Sequence, residues 1–486
     1  MTITIVGLGP GDPELLTRRA WQTLADAHEV YLRTARHPGV ESLPNSEHYH
    51  SFDDLYEQAE NFDALYDRIA AEVVRLGGRP EGITYVVPGH PLVGEATVTR
   101  ILKLAGEQSI PVTIIDGLSF IEPTLAALHL DGLDGLQIVN AEDVARLHFP
   151  QLNPDVPALL AQLYSPTIAS DVKLTLNAQY PDEHPVTLVH AAGTPQQLLE
   201  NVPLHELDRS SHIGHLTSLY VSPLPRAGSF ERFEETIAHL RAPEGCPWDI
   251  KQTHQSLRSH LLEEAYEVLA ALDADDPVSL KEELGDLLLQ VVLHSQIATD
   301  EGEFRMADVI EGVNSKIIRR HPHVWGENKL PNAEAVLVEW EKSKQAERAK
   351  AGLEGKPKSL LDSIPQALPA LAVANMYGAR SGKIGFDWPD VEATFAKVQE
   401  EIAEVQTAPD ADSRAKELGD VLFSVAQWAR HYGVEPETAL REANARWAAR
   451  FRYLETQSGG NLGNLTPDQM EALWQEAKAQ EVSPSA

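Results

Sequence analysis

A spaced set of carboxylates that occurs twice restricts this chain more than anything else in it. Glu263, Glu264 and Glu267 return as Glu400, Glu401 and Glu404 (400 − 263 = 137), and Glu283 and Asp286 return as Glu417 and Asp420 (417 − 283 = 134). Asn314, Lys316 and Arg320 return as Asn444, Arg446 and Arg450 (444 − 314 = 130). The offset shortens only between blocks, as it does when loops are trimmed and helices are kept. The second half of the chain is therefore expected to hold two like modules.

The local period says what those modules are made of. Leu257, Leu261, Ala265, Val268 and Leu272 fall on one helical stripe, with Glu264 beside it one turn before Val268. Glu264 and Glu267, three apart, share a face. The run from Asp286 to Leu293 is apolar nearly all round and reads as a buried helix, yet Glu283 and Asp286 open it.

A lone Glu-x-x-Glu pair is ordinarily a solvated acidic face. Several carboxylates gathered at the edge of a core repel one another and lose hydration unless a cation compensates. Oxygen donors in two i,i+3 pairs suit Mg²⁺, which keeps waters and phosphates in its shell, whereas zinc would ask for histidine or cysteine. Lys316 and Arg320, four apart on one side of a helix, complete a clamp for a polyphosphate, with a spare carboxylate to orient or deprotonate water. The plainer reading of these two cations is salt bridging to the same acids.

The rest of the chain differs in texture. Up to about residue 222, short β-rich runs alternate with helical stretches, with Ile3–Val6, Ile83–Val87, Val112–Ile115, Thr187–His190 and Ser218–Val221 the clearest strands. That is an α/β pattern. Residues 223–228 (Pro-Leu-Pro-Arg-Ala-Gly) punctuate it, and from Phe230 the pattern is helical, broken again at 352–358 and thinning at 458–461 before a last helix ending near Glu481. The expected division is 1–222, a linker at 223–228, helical modules at 229–351 and 359–481, and a linker at 352–358 between them.

At 486 residues the chain exceeds one core, and its net charge of −33 disfavours nucleic acid as a partner. A single cysteine, Cys246, supports neither a disulfide framework nor a multi-cysteine zinc site. The first residues do not read as a signal peptide and no apolar run is long enough to span a membrane, so a cytoplasmic protein is expected.

Gly245-Cys246-Pro247-Trp248-Asp249, Gln252-Thr253, Glu263-Glu264-Ala265-Tyr266-Glu267, Glu283-Leu284-Gly285-Asp286 and Arg320-His321-Pro322-His323 together resemble the MazG family of nucleoside triphosphate pyrophosphohydrolases over about residues 228–480. The resemblance implies an all-helical, usually dimeric fold that splits nucleoside triphosphates to a monophosphate and pyrophosphate. By position it implies Glu264, Glu267, Glu283 and Asp286 as Mg²⁺ ligands with Glu263 nearby and Lys316 and Arg320 on the phosphates. In the second copy it implies Glu401, Glu404, Glu417 and Asp420 with Glu400 nearby, Arg446 where the family usually shows lysine, and Arg450. Trp248, Trp388 and Trp474 are candidates for base stacking, with packing as their plainer role.

The N-terminal part carries Gly7-Leu8-Gly9-Pro10-Gly11-Asp12-Pro13 after a strand, then Glu14 to Ala20, Pro88-Gly89-His90-Pro91-Leu92-Val93 and Asp116-Gly117-Leu118-Ser119-Phe120. These runs resemble the tetrapyrrole methylase family over about residues 1–222. The resemblance implies a two-lobed α/β fold binding S-adenosylmethionine in its cleft, with Pro10, Pro88, Gly89, His90, Val93, Ser119 and Phe120 at the cofactor-contacting positions. His90 departs from the aspartate that active methylases commonly carry there.

Three functions are thus in view. The first is a Mg²⁺-dependent triphosphate pyrophosphohydrolase with an S-adenosylmethionine-binding domain, assembled as a homodimer or higher oligomer. The second is a methyltransferase with an accessory helical nucleotide-binding region, and the third a ligand-sensing scaffold without turnover. Acid sets intact in both copies favour the first.

Overall fold

The computed structural model describes residues 1–57, 61–326, 329–350, 359–362, 364–365 and 367–481. The expected break at 352–358 lies outside the described residues. Two compact units are formed, Met1–Lys251 and Gln252–Ala486.

The first unit carries strands β1 (Ile3–Gly7), β2 (Val30–Leu32), β3 (His50–Ser51), β4 (Ile83–Val87), β5 (Val112–Ile115), β6 (Gln137–Asn140), β7 (Ala158–Ala161), β8 (Pro185–His190), β9 (Leu198–Pro203) and β10 (Thr217–Val221). Its helices are α1 (Arg18–Ala25), α2 (Asp53–Glu57), α3 (Phe62–Gly77), α4 (Ala96–Glu107), α5 (Ile121–Leu128), α6 (Ala141–Ala145), α7 (Pro166–Leu176) and α8 (Phe230–Arg241). Strands β1–β5 form a parallel sheet in the order β3-β2-β4-β1-β5. A parallel sheet is covered on both faces, which is why its central strands β4 and β1 are apolar but for Thr84 and Thr4. Ile3, Ile5, Tyr85 and Val87 are buried there among Ile69, Val73, Val98 and Ile101 of α3 and α4. The second sheet, β6-β7-β10-β8-β9, is antiparallel except for its β6–β7 pair and buries Leu160, Leu188 and Leu219 against α7. This is the expected two-lobed α/β architecture.

Residues 223–228 are irregular and are tied back to the first unit, where the Asp155 carboxylate accepts from the Gly228 N–H at 2.7 Å and from the Ser229 hydroxyl at 2.7 Å. The helix that follows, α8, belongs to this unit.

Among its described residues the second unit has no strand. Its helices are α9 (Arg258–Asp273), α10 (Pro277–Glu301), α11 (Met306–Arg320), α12 (Pro322–Trp325), α13 (Ala333–Lys350), α14 (Ala370–Gly382), α15 (Val391–Thr407), α16 (Ala411–His431), α17 (Pro436–Gln457) and α18 (Pro467–Glu481). Helix α9 packs on α10, and α15 on α16. The expectation of a buried helix from Asp286 to Leu293 needs correction. Gln290, Val292 and Leu293 are buried, but Leu288 and Val291 are 40% and 38% exposed. The all-round apolar pattern marks a helix with a covered face and a second apolar face that one chain leaves open.

Candidate functional site

Helix caps bring the acids together. After α9 the connection is only Ala274–Asp276, and the Asp276 carboxylate accepts from the N–H groups of Val278 at 3.0 Å and Ser279 at 3.3 Å with Pro277 in the first turn. The chain therefore turns back along α9 at once. Glu264 and Glu267 on α9 and Glu283 on α10 then each offer an oxygen within 4.8 Å of the other two. In the second copy, Asp390 caps α15 and Asp410 caps α16, and Glu401, Glu404 and Glu417 meet in the same way. Asp286 and Asp420 stand outside these trios.

The groups respond as crowded carboxylates do. Lost hydration, then the charges of Asp286 and Glu267, push the Glu264 carboxyl above its ordinary range, and Glu283 rises through lost hydration with Glu267 and Asp286 beside it. Glu404 rises for the same reason next to Glu401 and Glu417. Each trio presents oxygen donors alone, the set that a hard divalent cation takes up. Beside the first lies a cleft of about 260 Å³ lined by Glu267, Ala270, Ala271, Ser279 and Glu283.

The two copies differ in their counter-charges. Lys397, one turn before the acids on α15, sets its ammonium 2.8 Å from Glu401 and 3.0 Å from Glu400, and these bonds raise its pKa. Glu401 itself is only 6% exposed. At the matching place in the first copy stands His260 (397 − 137 = 260), 3.6 Å from Glu263.

Arg320 is engaged elsewhere. Its guanidinium bonds Glu347 of α13 at 2.7 Å, as does that of Arg319, and the two hold the Glu347 carboxyl down to about 2. Lys316, on the same helix, has no ion pair among the described residues. Arg446 is 3.7 Å from Glu442, and Arg450 lies over the Trp474 ring at 5.5 Å. Trp248 is exposed and Trp388 half-buried. Lys397 and Glu347 were missed by sequence reasoning. The first announces itself as Lys-x-x-Glu-Glu, whereas nothing in the sequence ties Glu347 to Arg320.

In the first unit, β4, β1 and β5 are adjacent and parallel, so the loops leaving their C-terminal ends meet, as they do where ligands bind open α/β sheets. The backbones touch. Gly9 and Gly89 exchange N–H···O=C bonds at 3.1 and 2.8 Å, and a Cβ on Gly7 would stand 2.5 Å from the Gly89 carbonyl and 2.9 Å from the Gly117 nitrogen. From the second lobe, Gly193 and Thr194 approach Pro10 and Gly11.

The residues of the resemblance take unequal parts in this place. Pro10 is buried, while Pro88, Gly89, His90 and Val93 line the loop after β4 and are half-buried. His90 accepts the Leu92 N–H on Nδ1 at 3.0 Å and sets Nε2 3.5 Å from Asp116. Ser119 turns inward, its hydroxyl donating to Glu122 at 2.6 Å and accepting from the Ile121 N–H at 2.9 Å. Phe120 stands at the head of α5. An apolar cavity of about 500 Å³ adjoins, lined by Leu15, Leu118, Pro123, Ala126, Gly193 and Gln197, a size suited to a small-molecule cofactor.

Comparison with known proteins finds a different family in each part of the chain. Residues 252–325 match the family described as MazG nucleotide pyrophosphohydrolase domain, and residues 2–208 match Tetrapyrrole (Corrin/Porphyrin) Methylases. The chain is 40% identical over 491 residues to the uncharacterized protein YabN of Bacillus subtilis, covering 99% of each. It is 40% identical over 252 residues to the nucleoside triphosphate pyrophosphohydrolase/pyrophosphatase MazG of Thermotoga maritima, 51% of this chain and 95% of that one. The nucleoside triphosphate pyrophosphohydrolase of Escherichia coli K12 is 40% identical over 261 residues, 52% of this chain and 98% of that one. Among solved structures, a uroporphyrin-III-C-methyltransferase from Thermus thermophilus aligns at 21% identity and a TM-score of 0.37, covering 46% of this chain and 94% of that one.

Proposed function

Because the chain belongs to the MazG family of nucleoside triphosphate pyrophosphohydrolases, with a tetrapyrrole methylase domain ahead of the helical part, we propose that its helical unit hydrolyses nucleoside triphosphates to a monophosphate and pyrophosphate. The observation that carries this reading is the pair of carboxylate trios, each within 4.8 Å and each with a member held above its ordinary pKa. Groups so placed lose repulsion when a divalent cation arrives.

In the proposed site Glu264, Glu267 and Glu283 would hold Mg²⁺ and Glu401, Glu404 and Glu417 would do so in the second copy, with Asp286 and Asp420 joining the two sets from outside the trios. Bound there, Mg²⁺ supplies Lewis acidity toward the triphosphate oxygens. Glu263 and Glu400 orient the attacking water and take its proton as the P–O bond between the α and β phosphates breaks and pyrophosphate leaves. Lys316 and Arg320, and Arg446 and Arg450, neutralise the phosphates. Arg320 must first leave Glu347.

The test is pyrophosphate release from a panel of nucleoside triphosphates, with and without Mg²⁺, by wild type, Glu264→Gln, Glu401→Gln and the double variant. Activity kept in both single variants and lost in the double assigns turnover to both copies. Undiminished release by the double variant removes the assignment.

For the first unit the proposed ligand is S-adenosylmethionine, held by Pro10, Pro88, Gly89, His90, Val93 and the Ser119–Phe120 turn. The glycine-only contact of three strand-end loops, with the apolar cavity beside it, supports this. Bound there, it would supply a methyl group for transfer. Calorimetry of the full chain with S-adenosylmethionine tests it, and absence of heat leaves that cleft without this ligand.

The functional division we propose follows the sequence: 1–222 for the methylase-like part, 229–351 and 359–481 for the hydrolase copies. The chain acts in the cytoplasm, where its substrates are made, as a homodimer or higher oligomer. Leu262, Leu284 and Leu288 on one copy and Leu418 and Leu422 on the other are 40–60% exposed, an apolar face that a second copy would cover.

A further inference from the structure

Far along α10 from Glu283, the chain gathers a donor set of another chemistry. Glu301 closes α10 and Gly302 turns left-handed at φ 74°. The Gly302 N–H donates to the Thr299 carbonyl at 3.1 Å and the Glu303 N–H to the Ala298 carbonyl at 2.9 Å. This paired pattern reverses the chain at one glycine and sets Glu303 beside Glu301. His254, in the loop ahead of α9, comes to the same point, so that one ligand atom from each of the three lies within 4.8 Å of the others. Helical rise over the 18 residues between them (301 − 283) puts this cluster about 27 Å from the first trio.

Two observations call for a cation here. Carboxylates at a helix C-terminus face the negative end of the dipole, and the last turn of α10 holds no basic residue. Neither Glu301 nor Glu303 has an ion pair within 4.0 Å among the described residues.

The second observation is how His254 is held. Its Nδ1 lies 2.8 Å from Nδ1 of His294, with the ring planes 8° apart. One of the two nitrogens must carry the proton. The Nε2 of His294 is buried without a partner. A ligand on His254 Nε2 keeps the proton on its Nδ1 for donation to His294, the arrangement in which ligating histidines are oriented by an outer partner.

We propose that His254, Glu301 and Glu303 form a second class of metal site, one for a zinc-like divalent ion, with His294 as its positioning residue. One imidazole nitrogen and two carboxylates with water in the fourth place suit Zn²⁺ or Co²⁺ and discriminate against Mg²⁺. Both glutamates are exposed and free to swing in to the ligand spacing of about 3.3–3.6 Å that tetrahedral bonds of ~2.0–2.2 Å require. The ion would pin the loop ahead of α9 to the end of α10.

The experiment titrates metal-stripped full-length protein with Co²⁺ in excess Mg²⁺, following visible absorption, then displaces Co²⁺ with Zn²⁺. A single equivalent of coloured Co²⁺ is expected that Glu264→Gln/Glu401→Gln retains. Glu301→Gln/Glu303→Gln and His254→Ala are expected to lose it. His294→Phe should weaken binding about 10- to 100-fold without abolishing it. Because the glutamates are exposed, their variant separates loss of ligands from loss of fold, which far-UV circular dichroism checks. Colour that persists in the glutamate variant, or that vanishes with the trio variant instead, overturns the proposal, as does absence of colour in the wild type.

Discussion

Nζ of Lys397 stands 2.8 Å from Oε1 of Glu401, and the corresponding position of the first copy, 260, holds a histidine. The two carboxylate centres therefore start from different charge. Lys397 also draws the Glu404 carboxyl down against the rise caused by lost hydration and by Glu401 and Glu417. Removing it, as in Lys397→Met, lets Glu404 rise further, and Mg²⁺ must then compete with protons at higher pH. In a Glu264→Gln background, the acid limb of the pyrophosphate-release profile is expected to move to higher pH. An unmoved limb would show that the ammonium is a bystander.

Stability in chelator carries a second signature. Glu264, Glu283 and Glu404 have folded pKa values above their unfolded ones, so between those values the folded state binds more protons. Their contribution is favourable in acid and is lost as pH rises through the raised values. The melting temperature in EDTA should thus fall as pH climbs through the window just above the ordinary glutamate range. Mg²⁺ or Glu264→Gln/Glu404→Gln should flatten that slope.

Glu347 makes the opposite case. Held down to about 2 by Arg320 and Arg319, it remains charged, and the ion pair remains, until pH falls toward that value. If Arg320 has to change partners to meet phosphate, Glu347→Gln lowers KM for the triphosphate several-fold with kcat little changed. A raised KM would mean that Glu347 orients Arg320 toward the substrate.

The meeting of strand-end loops predicts a local effect of one methyl group. A Cβ on Gly117 would stand 2.7 Å from the carbonyl carbon and oxygen of Gly7 and closer still to the Gly89 carbonyl. Gly117→Ala should cost about 1–3 kcal/mol through overpacking and abolish S-adenosylmethionine binding in calorimetry. Pyrophosphate release should be unaffected.

Exposed Leu288, 40% accessible, and Leu422, 60% accessible, occupy matching places in the two copies (422 − 288 = 134). Replacing both by Glu should shift the sedimentation coefficient toward that of a single chain. An unchanged value would place the subunit contact elsewhere.

What could be read in advance followed burial. β4 and β5 matched their expected bounds and β1 ran one residue further, because apolar runs such as Ile83–Val87 sit between covered faces. β3 has two exposed residues, β9 carries Glu200 and Asn201 at an edge, and β7 is Ala-Leu-Leu-Ala, which serves a helix equally well. None of these announces a strand. The acids were legible because i,i+3 spacing is a local fact, and the helix caps convert it into proximity. Arg320's partner lies 27 residues on (347 − 320), across a helix pair whose contact only the folded chain determines.

The strand order β3-β2-β4-β1-β5 also sets a schedule for synthesis. β1 is made first, yet its neighbours begin at Ile83 and Val112, the latter 105 residues beyond Gly7 (112 − 7). At roughly 5–20 residues per second the nascent strand waits about 4–15 s on the ribosome with both edges unpaired, and about 5–20 s before the second edge is covered. During translation the amino-terminal domain is thus the stretch most in need of a chaperone, while the helices behind it close on near neighbours as they emerge.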